Sequence, residues 1–326
     1  MKYKLDVYSI WDLGKRENQE DSIFPKHNEA KSSDRTFILC DGMGGHSAGE
    51  VASETVCQAL SRFVLERCQD VEGFFTYGDF KAALEDTFNI LDTKDNGASK
   101  KMGTTLAFLK FHAEGAMIAH IGDSRVYHIR PGQNIDDTKI LFQTKDHSLI
   151  NDLIKIGELT PEEAKYSKQK NVITRAMQPC MEFRPKADLY DTNDIQPGDY
   201  FMLCSDGMLE QMEDDNLRFI FSEKGGNAEN KVDILKKVTE ENRDNHSAIV
   251  VHVLEVKEVE YKNANLFSTN IPPSRKTEGN INKIGLPGKK NEQKNQMSLW
   301  IIVFLLIVLL LILGHIACKY IESFNL

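Results

Sequence analysis

The chain has 326 residues, 41% of them hydrophobic and 27% charged, with a formal net charge of −9. That is enough apolar material for a substantial core, and more length than one average domain needs. The acidic balance argues against a nucleic-acid binder, which presents a basic face.

The charge is unevenly spread. Between residues 261 and 296 seven Lys/Arg stand against two Glu, so this stretch carries about +5 and the first 260 residues about −14. An acidic body suits a site that gathers divalent cations, although surplus surface acid reads the same way. The cysteines (40, 57, 68, 180, 204 and 318) include no C-x-x-C pair, so neither a zinc site nor a disulfide framework is indicated. Cys40 and Cys204 lie in apolar strand-like runs, where free cysteine acts as a small hydrophobe, so a reducing compartment is expected. The opening residues MKYKLDVYSIWDLGK show no apolar centre of a secretory leader.

In chain order, an apolar run at 36–40 reads as a buried strand. Ser47-Ala48-Gly49-Glu50 fits a capping box that opens a helix over 48–68, and a second helical period covers 79–91. TTLAFLKF, GAMIAHIG and SRVYHIR read as consecutive antiparallel strands turned by HAEG and GD. An insert over about 149–170 carries another helix start at Thr160-Pro161-Glu162-Glu163. Strands at 200–204 and 248–254 flank helices at 214–221 and 228–242. Strand runs with helices paired at each end predict an α+β domain, a sandwich of sheets covered by helices.

Residues 258–296, rich in Asn, Lys, Pro and Gly, read as a flexible basic linker. It either touches anionic lipid heads or simply keeps the chain soluble. From Met297 to Cys318 there is no Asp, Glu, Lys or Arg, and no polar stripe for fifteen residues after Ser298. A helix of that length, at about 1.5 Å per residue, spans a hydrocarbon layer of roughly 30 Å. Residues 297–318 are therefore expected to be a transmembrane helix, with Trp300 and Tyr320 near its ends. Lys289, Lys290 and Lys294 precede it and only Lys319 follows closely. The positive-inside rule then places the acidic body on the cytoplasmic face of the cell membrane, with residues 319–326 as a short tail beyond it.

The stretch FILCDGMGGHSAGE ends a core strand on Asp41 and strips the following residues of bulk. Asp123 follows IAHIG, Asp206 follows FMLCS, Asp244 precedes SAIVVHVL, and Asp21 closes RENQED. Aspartates brought together from strand ends repel unless a cation neutralises them, and hard ions such as magnesium or manganese prefer oxygen ligands. A glycine at 42 would let a backbone carbonyl approach such an ion.

These residues resemble the type-2C metal-dependent serine/threonine protein phosphatases. GKRENQED, LCDGMGGHSAGE, MGTTL, HIGDSRVY, TKDHSLI, NVITRAM, LCSDGMLE and DNHSAIVV occur in the family's order across about residues 1–255, and DGMGGH looks like the bacterial branch. The resemblance implies a catalytic domain over 1–257: a central antiparallel β-sandwich flanked by helix pairs, with two divalent cations, Mn or Mg, at one end. It gives Asp41 as the carboxylate bridging both ions, Gly42 as a carbonyl ligand, and Asp206 and Asp244 as ligands of the second. Glu20 and Asp21 match groups that hold metal-bound waters. Asp123, with Asp206, matches a third metal position, Arg16 a phosphate-binding arginine, and the 149–170 insert a mobile flap.

This chain departs from the family pattern at Gln19, at Met43, where animal members place a histidine proposed as general acid, and at Gln178. The expected reaction is direct hydrolysis of phosphoserine or phosphothreonine by activated water without a phosphoenzyme, opposing a serine/threonine kinase and acting on membrane-associated phosphoproteins. The alternatives are a silent phosphoprotein-binding scaffold and a small-phosphoester hydrolase using the same site. His46 and His147 are expected to make loop hydrogen bonds, and Thr104, Thr105 and Ser124 to support the site.

Overall fold

The computed structural model describes residues 2–258, apart from 45–47, 68–72, 96, 98–100, 165–166, 168 and 170–171. The expected linker beyond 258, transmembrane helix at 297–318 and tail lie outside the described residues, as do His46 and Ser47. Among the described residues no helix is long and apolar enough to cross a membrane.

In chain order the elements are β1 (Lys2–Asp12), β2 (Asp21–Phe24), β3 (Thr36–Met43), α1 (Ala48–Arg67) and α2 (Tyr77–Asp92). Then come β4 (Gly103–Thr104), β5 (Leu106–His112), β6 (Gly115–Ile121), β7 (Arg125–Arg130), β8 (Lys139–Gln143), α3 (Leu149–Ile156) and α4 (Pro161–Ala164). The last are β9 (Asp188–Thr192), β10 (Tyr200–Cys204), α5 (Asp214–Phe221), α6 (Ala228–Thr239) and β11 (His246–Lys257). One sheet has the order β1-β11-β10-β7-β8, the other β2-β3-β5-β6-β9 with β4 paired to β3. Every named pairing is antiparallel.

Three packed layers hold the fold. Phe37, Leu39, Leu109, Ile118, Phe201, Leu203, Ile249 and Val251 fill the space between the sheets. The alternate residues Ile38, Cys40, Phe108 and Ala119 pack against α1 and α2, through Val56, Leu60, Phe80 and Phe88. On the far side Tyr200, Met202, Cys204 and Val250 meet Leu217, Phe221, Val232 and Leu235 of α5 and α6. The inner strands are thus buried on both faces. Each Leu, Ile or Phe so enclosed contributes about 1.5–3 kcal/mol.

The structure corrects several sequence expectations. GD is not a hairpin turn: β6 pairs with β5 and β9, whereas β7 pairs with β10 and β8 of the opposite sheet. The chain crosses between sheets at Gly122, whose φ is +102°. The backbone at 42–43 is not a loop either, because β3 runs on through Met43 and pairs Gly42 with Thr104. The second helix starts two residues before Asp79, with Thr76 as its cap and Asp79 completing a capping box. The last helix stops at Thr239, three residues short of the expected end. In the insert, Ser148 caps α3, and Gly157 ends it at φ +79°. Thr160 and Glu163 exchange the expected capping bonds.

Candidate active site

A cleft of about 590 Å³ opens at one end of the sandwich, lined by Arg16, Glu20, Asp41, Gly42, Asp123, Asp206 and Asp244 among others. The residues expected to bind metal, metal-bound water or phosphate, except Asp21, therefore share one cavity. Asp21 is 2% exposed and lines a neighbouring pocket with Trp11 and Gln19, but stands directly across the β2–β3 ladder from Asp41.

Local structure explains how chain-distant carboxylates converge. Antiparallel β2 and β3 set Asp21 beside Asp41. The crossover after β6 brings Asp123 to the rim, and Asp206 follows β10. Asp244 precedes β11, which is the neighbour of β10. Hydroxyls and amides then fix the frame. Thr105 Oγ1 accepts from the Asp41 amide at 2.9 Å and lies 2.6 Å from Ser124 Oγ. Ser205 Oγ donates to Asp21 Oδ2 at 2.9 Å. Gln19 uses both ends of its side chain, donating to the Asp12 carbonyl at 2.8 Å and accepting from the Asp21 amide at 2.9 Å. Arg16 reaches over the mouth, where Nη2 donates to Asp244 Oδ2 at 2.6 Å.

Gly42 is a glycine for a reason that the sequence did not reveal. A Cβ there would stand 2.3 Å from the Gly49 carbonyl oxygen and 2.5 Å from that of Glu20. Its amide donates to the same Glu20 carbonyl at 3.1 Å. The glycine thus permits α1 to begin directly against β3. Glu20 turns toward that helix start, since a Cβ on Gly49 would meet Glu20 Oε1 at 2.6 Å.

The carboxyls are electrostatically frustrated. Burial, then repulsion by Asp21, Asp206 and Asp123, pushes Asp41 well above the usual carboxylate range. Burial raises Asp21 to about 7, the nearby Ser247 and Ser205 hydroxyls opposing it and Asp206 and Asp244 adding to it. Asp123 also rises to about 7, through burial and then Asp206 and Asp146. Asp206 is raised by burial and by Asp244. Such a cluster holds protons until a cation replaces them.

The donor set fits hard divalent ions: the converging groups are carboxylate oxygens, and Gly42 lines the same cleft. A different group, His120, His147 and Asp188, also places possible ligand atoms within 4.8 Å of one another. Its hydrogen bonds argue against a metal there. His147 Nδ1 accepts from the Gly122 amide at 3.0 Å, and Nε2 lies 3.1 Å from Arg175 Nη1 and 3.3 Å from Asp188, so both ring nitrogens already have partners. Arg175 also donates to Asp188, at 2.8 Å. His147 is a loop-holding residue, as its context implied.

Sequence reading passed over the supporting roles of Gln19 and Ser205, and quoted Asn245 without giving it one. Asn245 sits 5% exposed beside Asp244, and only its adjacency to that aspartate could have drawn attention to it. Lys101 and Gln178 also line the cleft. The Gln178 Cγ lies 3.0 Å from where a Cβ on Gly103 would stand, so it packs on the β4 backbone.

An α-β-β-α sandwich with an acidic cleft at one end defines a class of metal-using hydrolase architecture, and comparison with known proteins identifies which. The family model described as Protein phosphatase 2C matches residues 14–240. Protein phosphatase PhpP of Streptococcus pneumoniae is 34% identical over 222 residues, covering 66% of this chain and 84% of its own. The crystal structure of the Mycobacterium tuberculosis serine/threonine phosphatase PstP/Ppp superposes with a TM-score of 0.62 at 29% identity, covering 77% of this chain and 99% of that one. A PstP catalytic domain solved in complex with 2 manganese ions gives 0.60 at 29% identity with the same coverage. The chain belongs to the protein phosphatase 2C family and is a protein phosphatase of that type.

Proposed function

We propose that this protein hydrolyses phosphoserine and phosphothreonine in proteins, using two divalent cations, Mn or Mg, held in the acidic cleft. What supports this most is that Asp41, Asp123 and Asp206 converge on one cleft, with Asp21 buried across the strand ladder from Asp41, and that all four carboxyls are raised above their ordinary acidity. Asp41 and the Gly42 carbonyl would hold the ions with Asp206 and Asp244, while Asp21 and Glu20 would hold their waters. Asp123, with Asp206, would hold a third. When bound, such ions acidify water and neutralise phosphoryl oxygens.

The chain's own residues do the rest. Arg16, half-exposed at the mouth, offers a planar fork to two phosphoryl oxygens. Among the described residues lining the cleft, none is a free serine, cysteine or histidine nucleophile. Thr105 and Ser124 are buried and bonded to each other, and the Cys204 thiol is pushed up to about 12, chiefly by burial. Water is therefore the attacking group, and no phosphoenzyme forms. Met43, lining the cleft, offers no proton to the leaving serine or threonine oxygen, which leaves its delivery to water or another group.

Residues 258–296 tether this catalytic domain, over 1–257, to a transmembrane helix at 297–318. The domain lies on the cytoplasmic side and opposes a serine/threonine kinase acting on membrane-associated proteins.

Phosphate release from a phosphothreonine peptide is expected to require Mn or Mg, to stop with chelator, and to be lost in Asp41→Asn and Asp244→Asn. Full activity of the double variant would overturn the cation assignment. Tight phosphopeptide binding without turnover in saturating metal would point instead to a scaffold. Turnover confined to small phosphoesters would point to a hydrolase of that class.

A further inference from the structure

We propose that Asn245 is the positioning residue for Arg16, setting where the guanidinium stands over the carboxylates; this rests on the reading of Arg16 as the phosphate-gripping group. Arg16 lies on an irregular segment between β1 and β2, which by itself fixes little. One side chain ties that segment down on both sides of Arg16. Asn245 Nδ2 donates to the Leu13 carbonyl at 2.9 Å and to the Asn18 carbonyl at 3.0 Å. Its Oδ1 accepts from the Glu20 amide at 2.8 Å. Two donors and one acceptor are all used, which fixes the orientation of the amide.

The same residue touches the other partner of Arg16. The Asn245 backbone amide donates to Asp244 Oδ1 at 2.8 Å, while Arg16 holds Oδ2 of that carboxylate. The segment also lies directly on the strand start. Gly14, at φ +60°, would place a Cβ 2.2 Å from the Asp244 carbonyl oxygen, and the Lys15 amide donates to the Arg243 carbonyl at 3.0 Å. Two carbonyls need donors and the Glu20 amide needs an acceptor, a combination that no other side chain of this size offers. An aspartate would keep the bond to Glu20 but turn a carboxylate oxygen toward two carbonyls.

The test uses the full chain with saturating Mn and a phosphothreonine peptide. Asn245→Ala and the equally sized Asn245→Asp should each lower kcat/KM by about 10–100-fold, mainly through KM, as displacement of a substrate-orienting group does. In an Arg16→Ala background the second change should cost less than about 3-fold, because the two act as one unit. Amide hydrogen exchange in Asn245→Ala should speed up over residues 14–20 and stay unchanged in β5 and β6. Calorimetric titration with Mn alone should give an unchanged affinity.

Multiplicative losses in the double variant, wild-type kcat/KM in Asn245→Asp, a weakened Mn affinity, or unchanged exchange at 14–20 would each overturn the role of Asn245. Wild-type kinetics in Arg16→Ala would instead overturn the reading of Arg16, and with it the catalytic half of this proposal. The two failures are told apart by which single variant is silent.

Discussion

Asp199 shows at the residue scale how much a buried charge depends on its partners. It is 1% exposed and accepts from Arg130 Nε at 2.8 Å and from the Gln196 amide at 2.8 Å. His128 Nε2 lies 3.0 Å away. Burial works to raise this carboxyl, but Arg130 and His128 outweigh it and hold it below its ordinary value. Because the folded value is depressed, the stabilisation is fully present above the unfolded carboxylate value near 3.9 and is lost as pH falls through the folded value. Asp199→Asn should cost about 3 kcal/mol at pH 7, a fall in Tm of roughly 6–12 °C. The gap to the native protein should narrow in denaturant melts below about pH 4. Since Asp199 lies outside the cleft, kcat measured at 25 °C should not change.

At the scale of elements, the strands that sequence reading failed to detect are β1, β2, β8 and β9, and these are the four sheet edges. Edge strands carry charge and polar residues that discourage pairing with other chains, so KYKLDVYSIWD and DLYDT lack the apolar runs that betray inner strands. The crossover at Gly122 was legible as a turn but not as a change of sheet. Its φ of +102° is one that side chains rarely adopt, and a Cβ would stand 2.7 Å from Thr105 Cγ2. Thr105 is the residue whose hydroxyl receives the Asp41 amide. Gly122→Ala should therefore cost about 1–3 kcal/mol and lower kcat as well, through both Asp123 and Asp41. A stability loss with unchanged kcat would show that the crossover does not set the carboxylates.

For the whole molecule, both sheets and all three packed layers are made from residues before 258. A chain ending there should keep kcat/KM on a soluble phosphothreonine peptide within about 2-fold, because no described cleft residue is removed. If the C-terminal segment anchors the enzyme, the same truncation should abolish membrane sedimentation. It should also slow dephosphorylation of a vesicle-bound substrate, since tethering raises effective concentration to about the millimolar range. Equal rates on vesicle-bound and soluble substrates before and after truncation would count against a tether.

The inner strands, the helix start at Thr160, the acidic residues and the glycine at 42 were written locally, in apolar runs, a capping box and strand-end aspartates, and needed no partner to be recognised. Tertiary structure decided the rest. It placed Asp123 at a sheet crossover, gave Gly42 its reason in the approach of α1, and hung the Arg16 segment on an asparagine more than two hundred residues away. Periodicity reports how one segment meets water or a core. Which side chains then meet each other depends on sheet order and crossing points, and those arise only when distant segments pack.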